Sequence, residues 1–346
     1  MLAGAAVAVH QALVTKPSIS EQPSVDQTSA NGETEEGDDE ESNASSRKEN
    51  FFTFLILGRD TGGGGNTDTI LLVAYDVDNQ ELNVMSIPRD TMVNIPYDIK
   101  KINGVYNYAG GGDEGIQAVY TEVSQLVGFI PDYSIVVEWE AVGNLVDAIG
   151  GVWFDVPYNM YYDDPTQDLH IYVSKGYQLL DGDTAMDVIR WRQNNDGTGY
   201  TDGDIGRIAT QQAFLTVLVE ECLQIKNVTK IQEFAEIFEE NVTTDLTLGN
   251  LVWLAEQAIF DGLSMDSVNF ITMPGDYNGF AWCRSYQTYL SYVLPDEDEL
   301  LAIINESFNP YTEDLTSEGL DIMSVNADGT LSSTTGVVED TQAASG

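Results

Sequence analysis

Seven arginines occur in this chain, and five of them, Arg59, Arg89, Arg190, Arg192 and Arg207, fall at or near the ends of predicted elements. Charges that serve only solubility are not distributed this way. In a strongly acidic chain, rare guanidinium groups gathered at strand ends could form a pocket for phosphate. The planar fork is always charged and binds an oxyanion through two hydrogen bonds. Two carboxylates stand close in sequence, Asp60 in Gly58-Arg59-Asp60-Thr61 and Asp68 in Asn66-Thr67-Asp68-Thr69. The glycine run from Gly62 to Gly65 would let the backbone turn both carboxylates toward one point. Hard oxygen ligands beside a phosphate are the usual setting for Mg²⁺. Asp and Gly are also ordinary turn residues, so a simple turn accounts for the same letters.

The segment Arg190-Trp191-Arg192, followed by Asp204-Ile205-Gly206-Arg207, carries more information. Arg190 and Arg192 would project the same way from an extended or terminal turn, while Asp204 and Arg207 stand at helix spacing three. A plain Asp204–Arg207 ion pair is the competing reading of that spacing. Gln211, four residues after Arg207, would extend the polar face of the same helix.

Other chemistries find little support. The two histidines, His10 and His170, have no neighbouring metal-ligand pattern, which argues against a zinc hydrolase or a histidine-based triad. The Gly62 to Gly65 run lacks the lysine that a P-loop needs. A formal net charge of −43 excludes nucleic acid as a partner by nonspecific attraction. The two cysteines, Cys222 and Cys283, either pair outside the cell or are unrelated buried thiols.

These residues need elements to position them, and 42% hydrophobic content is enough for a sizeable core. Phe51 to Leu57 reads as a strand covered on both faces, with further strands at Ile70 to Tyr75 and Leu82 to Ile87 joined by the turn residues at 76–79. Asn103 to Gly112 reads as loop and Glu114 to Val127 as a helix with an apolar stripe. A strand at 133–137, a helix at 141–149 ended by Gly150-Gly151, and a strand at 152–156 follow. Helices at 183–192 and 205–225 flank a polar, Gly-rich insertion at 193–203. This alternation predicts an α/β three-layer α-β-α sandwich with a central mixed sheet. Met1 to Val14 is apolar but shorter than the ~20 residues that cross a bilayer. It reads as the remnant of an N-terminal membrane anchor or as the ragged start of a soluble chain. Residues up to 50 then form an acidic, flexible spacer, residues 51–310 the folded domain, and residues 311–346 a loosely ordered, low-complexity tail.

With those residues in view, the chain resembles the LytR-CpsA-Psr family of cell-wall phosphotransferases. The resemblance covers roughly Phe51 to Leu223. It rests on Leu57-Gly58-Arg59-Asp60 with Thr67-Asp68-Thr69, Ser86-Ile87-Pro88-Arg89-Asp90-Thr91, and Lys101-Ile102-Asn103 with Tyr106. The Gly150-Gly151-Val152 turn, Leu180-Asp181-Gly182, and Arg190-x-Arg192 with Asp204-x-Gly206-Arg207 and Gln211-Gln212 complete the set. What the resemblance implies is transfer of a phosphoglycan, such as teichoic acid or capsule, from a polyprenyl-diphosphate carrier to peptidoglycan. Asp60 and Asp68 would hold Mg²⁺, Arg89, Arg192 and Arg207 would contact the phosphates, and Arg59, Arg190, Asp204 and Gln211 would line or brace the site. Asp90 or Asp204 would take the acceptor proton. The family's N-terminal anchor implies an extracellular position at the cell membrane of a Gram-positive-type bacterium. This chain departs from the pattern in carrying Thr210 where an arginine is frequent, and in the length of residues 193–203. A non-catalytic, polyprenyl-phosphate-binding or regulatory surface protein is the alternative, and hydrolysis of the diphosphate by water a possible side activity.

Overall fold

Strands β1 (Phe51–Arg59), β2 (Thr67–Asp76) and β3 (Glu81–Ile87) form where the apolar runs fall. Phe52, Leu55, Leu57, Leu72 and Met85 are fully buried, as expected of strands covered on both faces. The computed structural model describes residues 14–19, 46–59, 67–166, 168–201, 203–224, 230, 233, 236–237 and 242–340. Contacts divide the chain into two units.

The first unit comprises Met1–Ser18, Phe54–Ser86 and Tyr133–Ile271. Its sheet is six-stranded, in the order β10-β3-β2-β1-β4-β9, adding β4 (Tyr133–Glu138), β9 (Val242–Thr244) and β10 (Val268–Thr272). β1 runs parallel to β4, and β4 antiparallel to β9, so the sheet is mixed as expected. Only residues 60–66 join β1 to its neighbour β2, too few for a parallel crossover, which takes a dozen or more. A tight turn joins β2 to β3, with Asp76 Oδ1 accepting from the Asn79 backbone N–H at 3.0 Å. The end of β1, the start of β2 and the end of β3 therefore lie at one end of the sheet.

Helices α3 (Trp139–Ile149), α4 (Gly182–Arg190), α5 (Asp204–Leu223) and α6 (Leu248–Phe260) and the paired strands β5 (Val152–Val156) and β8 (Gly176–Leu180) complete this unit, with the hairpin β6 (Met160–Asp164) and β7 (Leu169–Val173). Gly150 and Gly151 both adopt φ of +92°, which explains the glycine pair between α3 and β5. The Leu180-Asp181-Gly182 motif is structural. Asp181 caps α4 by accepting from the Thr184 backbone N–H, and a Cβ on Gly182 would lie 2.4 Å from the Gly143 carbonyl oxygen of α3.

The second unit comprises Ile19–Thr53, Ile87–Asp132 and Thr272–Gly346. Residues 103–112, read as loop, instead contain helix α1 (Ile102–Tyr108), which α2 (Gly112–Val127) follows. Asn and Gly are weak helix formers, and burial of Ile102, Val105 and Tyr106 on one face overrides them. Tyr106 locks the two helices together. Its hydroxyl accepts from the Gly112 backbone N–H at 2.9 Å, and a Cβ on Gly115 would lie 2.7 Å from its carbonyl oxygen.

Two expectations about chain ends change. Arg47 and Lys48 are part of the packed structure, because Arg47 pairs with Asp132 and bridges to Tyr311, and Lys48 Nζ donates to the Asn309 carbonyl at 2.9 Å. Thr15 is also engaged, its carbonyl accepting from Asn250 Nδ2 at 2.8 Å within the α6 capping box. Residues 311–340 are not a loose tail. They form the hairpin β13 (Met323–Val325) and β14 (Leu331–Ser333), with Leu320, Ile322 and Met323 buried. A few apolar residues among Asp, Ser and Thr suffice once they meet a core the local composition does not reveal. The apolar start at residues 1–13 lies outside the described residues; no helix among the described residues is long and apolar enough to cross a membrane. Cys222 and Cys283 are both free thiols.

Candidate functional site

α4 ends on Arg190, and the backbone turns extended at Trp191, with φ −62° and ψ 134°. Trp191 is 1% exposed and its Nε1–H donates to Asn194 Oδ1 at 3.1 Å. It packs between Tyr158 and Tyr200, at ring-centroid distances of 5.8 and 4.9 Å. Anchoring this indole inward turns its two neighbours away from it, leaving Arg190 half-buried and Arg192 exposed. The insertion at 193–203 is folded onto β6. Asn194 Oδ1 accepts from the Tyr161 backbone N–H, and Asn195 Oδ1 from that of Asp163, both at 2.7 Å.

Arg207 lies in the first turn of α5 and is 5% exposed. Spacing places it on one face with Thr210 and the fully buried Phe214. Gly206 of the same motif is required by packing, since a Cβ there would lie 2.9 Å from two Tyr200 side-chain atoms. Burial pushes the Tyr200 phenol up, and the neighbouring Arg207 charge acts against that rise. The Nε atoms of Arg190 and Arg207 are buried without a hydrogen-bond acceptor, although both residues engage neighbours through other interactions.

The paired glutamines tie these elements together. Gln211 Nε2 donates to the Ile189 carbonyl at 3.2 Å, fixing α5 to the end of α4 and thus Arg207 to the Arg190-Trp191-Arg192 turn. Gln212 Nε2 donates to Ser86 Oγ at 3.1 Å and to the Ile271 carbonyl at 3.4 Å. Ser86 stands at the end of β3, so the arginine turn is attached at the sheet end where β1 finishes and β2 begins. The amide nitrogen of Gln211 is thereby a brace, and the brace made by Gln212 was not foreseen. The Gln211-Gln212 motif marks the residue but not its role, because its partners are 126 and 59 residues away.

Asp187 was also missed, although it stands at helix spacing three before Arg190. Burial pushes its carboxyl up to about 6, against the opposing pull of Arg190 and with the help of Asp183 and Asp181. An open apolar groove of about 420 Å³ runs along α5 past Ala209, Thr210, Ala213 and Val217, with Trp153, Pro157 and Tyr177 on the facing side. At ~1.5 Å rise per residue, Thr210 is about 4.5 Å along the helix from Arg207.

Of the remaining expected residues, Asp60 lies outside the described residues, as do the side chains of Arg59, Asp68 and Asp204. Their backbone places Arg59 at the end of β1, Asp68 as the second residue of β2 and Asp204 at the start of α5. Among the described residues no group of three or more His, Cys, Asp or Glu is placed to hold a metal. Aspartate carboxylates are the hard oxygen donors that suit Mg²⁺, and Asp68 stands near the start of β2, at the sheet end where β1 finishes. Arg89 belongs to the second unit, in a turn held by Thr91, whose hydroxyl donates to the Pro88 carbonyl at 2.6 Å. The Arg89 carbonyl accepts from the Asn103 N–H at 3.2 Å. Asp90 pairs with Lys101 at 2.9 Å, which explains two letters of those motifs and occupies one candidate base.

Fold and site together define a mixed α/β protein that ties the Arg190-Trp191-Arg192 turn to the Arg207 end of α5 at one end of its sheet, beside an apolar groove. The LytR_cpsA_psr family model matches residues 20–308, and the chain belongs to that family. Among curated relatives, the polyisoprenyl-teichoic acid–peptidoglycan teichoic acid transferase TagV of Bacillus subtilis is 29% identical, over 66% of this chain and 58% of that protein. The regulatory protein MsrR of Staphylococcus aureus is 29% identical over 56% of each chain. This chain thus spans little more than half the length of the curated relatives it matches. The crystal structure of B. subtilis TagV superposes with a TM-score of 0.58 at 25% identity, covering 74% of this chain and 95% of that one.

Proposed function

We propose that this chain is a Mg²⁺-dependent transferase that moves a phosphoglycan from a polyprenyl-diphosphate carrier to a peptidoglycan hydroxyl. It works at the outer face of the cell membrane, from an N-terminal anchor. The observation that supports this most is the junction of Arg190, Arg192 and Arg207 at one sheet end, one helical turn from an apolar groove. A diphosphate lipid needs both features.

In this reading the acceptor oxygen attacks the glycan-side phosphorus. The bond from that phosphorus to the bridging oxygen breaks, and polyprenyl monophosphate leaves while the acceptor proton passes to a base. Arg192 and Arg207 neutralise the phosphate oxygens as charge shifts to the leaving group, and Arg190 supports them; the family resemblance assigns Arg89 a phosphate contact as well. Burial of Arg207 strengthens its field at short range. Gln211 and Trp191 hold the guanidinium groups in place, which is where positioning enters the rate. Asp60 and Asp68 would hold Mg²⁺, which supplies further charge neutralisation at the diphosphate. With Asp90 engaged by Lys101, Asp204 is the better candidate base. Water in place of the acceptor would give diphosphatase activity.

Thr210 favours a second reading, a protein that binds the lipid without turnover. It stands where an arginine is frequent, is 7% exposed, and donates its hydroxyl to the Gly206 carbonyl at 3.1 Å. One experiment separates the two. The protein is incubated with lipid-linked teichoic acid precursor and purified peptidoglycan, with Mg²⁺ or EDTA, and phosphate-linked glycan on the wall is measured by mass spectrometry. Transfer that Mg²⁺ supports and that Arg207→Ala and Arg89→Ala each reduce at least ~100-fold is expected. Tight lipid binding with no transfer by the wild type would select the second reading.

A further inference from the structure

In the second unit, β11 (Gly275–Cys283) and β12 (Thr288–Pro295) form an antiparallel hairpin in which Trp282 is opposite Tyr289 and Phe280 opposite Ser291. The inner face carries the buried Ala281, Cys283 and Tyr292, whereas Phe280, Trp282 and Tyr289 are 56%, 50% and 63% exposed. The rings of Trp282 and Tyr289 meet edge to face, 5.2 Å apart at 74°. Isolated exposed aromatics are ordinary, but three on one face of one hairpin form a contiguous platform.

Its chemistry selects among occupants. The exposed part of the outer row alternates aromatic rings with groups that hydrogen-bond, Ser291 opposite Phe280 and Asn278 two residues before Phe280, and the aliphatic side chain on this face of β12, Val293, is buried. An acyl chain or an apolar peptide surface would be matched by Leu, Ile or Val. Electron-rich ring faces beside hydroxyl and carboxamide groups match the C–H face and the hydroxyls of a sugar ring. Arg284, next along the row, is held by Asp98 and Asp340 at 3.0 and 2.9 Å, which compensate its charge. The chain's net charge of −43 repels an anionic bilayer, an anionic polymer and a second copy alike. A neutral glycan meets no such repulsion.

The platform is also continuous with the segment that carries Arg89. Val293 of β12 donates its N–H to the Asp90 carbonyl at 3.0 Å and accepts from the Met92 N–H at 2.9 Å. Tyr289 lies four residues before Val293, about 13 Å along the strand. We propose that the outer face of the β11–β12 hairpin docks a neutral polysaccharide chain, which it lays toward the Arg89 turn. That this chain is the acceptor rests on the proposed transfer; the binding itself does not.

The test is calorimetric titration of the full chain with a soluble neutral oligomer of N-acetylglucosamine, and co-sedimentation with peptidoglycan stripped of anionic polymer. Trp282→Ala/Tyr289→Ala is expected to weaken both at least tenfold, while Trp282→Phe/Tyr289→Phe retains them and Tyr161→Ala/Tyr172→Ala, at exposed rings on the other unit, changes neither. Thermal melts of the variants check that folding is intact. Undiminished binding by the Trp282→Ala/Tyr289→Ala protein overturns the inference, as does a wild type that binds no neutral glycan but sediments with anionic vesicles or self-associates. Transfer is assayed separately. A wild type that binds glycan through the platform yet transfers nothing removes the proposed function and leaves the platform. Normal transfer with glycan binding unchanged in the variant does the reverse.

Discussion

Glu122 of α2 gives the most demanding test of the packing. It is 9% exposed, its Oε2 is buried without a hydrogen-bond partner, and it faces residues of the C-terminal segment. Burial pushes its carboxyl up to about 8, helped by Glu339 and Asp321 and opposed by Lys100. Those neighbours are held in place: the Asp321 N–H donates to the Gln125 carbonyl at 2.9 Å, and Lys100 Nζ to the Glu339 carbonyl at 2.8 Å. Between its ordinary value of 4.5 and about 8, the folded protein keeps a proton that the unfolded chain has released. Stability from this group is therefore complete below 4.5, falls as pH rises through that window, and is flat above it. At ~1.4 kcal/mol per pH unit the whole window is worth roughly 5 kcal/mol, and the higher effective dielectric of real interiors reduces this to roughly 2–4 kcal/mol. Lys100, whose ammonium burial pushes down, adds a slope of opposite sign at the alkaline end. Glu122→Gln keeps the shape and removes the titration. Urea unfolding of both proteins from pH 5 to pH 9 should show the wild type losing roughly 2–4 kcal/mol more than the variant across the range. Parallel stability curves would refute the buried, proton-bearing Glu122 and with it the docking of residues 320–340 on α2.

Further outcomes follow from the same geometry. Gly206→Ala forces a methyl within 2.9 Å of Tyr200 and should cost about 1–3 kcal/mol, read as a lower Tm together with lost transfer. Trp191→Ala should cost about 3–5 kcal/mol and lower transfer further than its stability loss explains, measured well below its Tm. Gln212→Leu leaves the Ser86 and Ile271 bonds unmade and should lose about 1–2 kcal/mol by chemical denaturation. Asp187→Asn should flatten the fall in stability between its ordinary 3.8 and about 6, a smaller effect than at Glu122 because the group is only half-buried. EDTA should lower the Tm of wild type and leave an Asp60→Ala/Asp68→Ala protein unmoved, a readout that does not depend on transfer.

Much of the candidate site was legible because arginine is rare in this chain and its motifs are local. The Arg190-Trp191-Arg192 turn and the Arg207 helix start can be read from spacing, since alternation and 3.6-residue periodicity are properties of neighbouring residues. The strands at 51–59, 67–76 and 81–87 were legible for the same reason, as apolar runs punctuated by turn residues. Two motifs that carried the family resemblance proved architectural. Leu180-Asp181-Gly182 caps α4 and admits α3, and Lys101 with Asp90 braces the Arg89 turn.

What local pattern left open was settled by long-range contact. Helix α1 forms against its own propensity because Tyr106 finds α2, and residues 311–340 fold because Leu320, Ile322 and Met323 find a core far away in sequence. Gln212 becomes a brace only when β3 and β10 come beneath it. The aromatic face of β11–β12 exists only through register, which sets Trp282 opposite Tyr289. Composition and short-range spacing determined which groups this protein has to work with. Burial and pairing between distant segments decided which of them are buried, which are exposed, and which carry a proton near neutral pH, because those properties depend on neighbours that no local window contains.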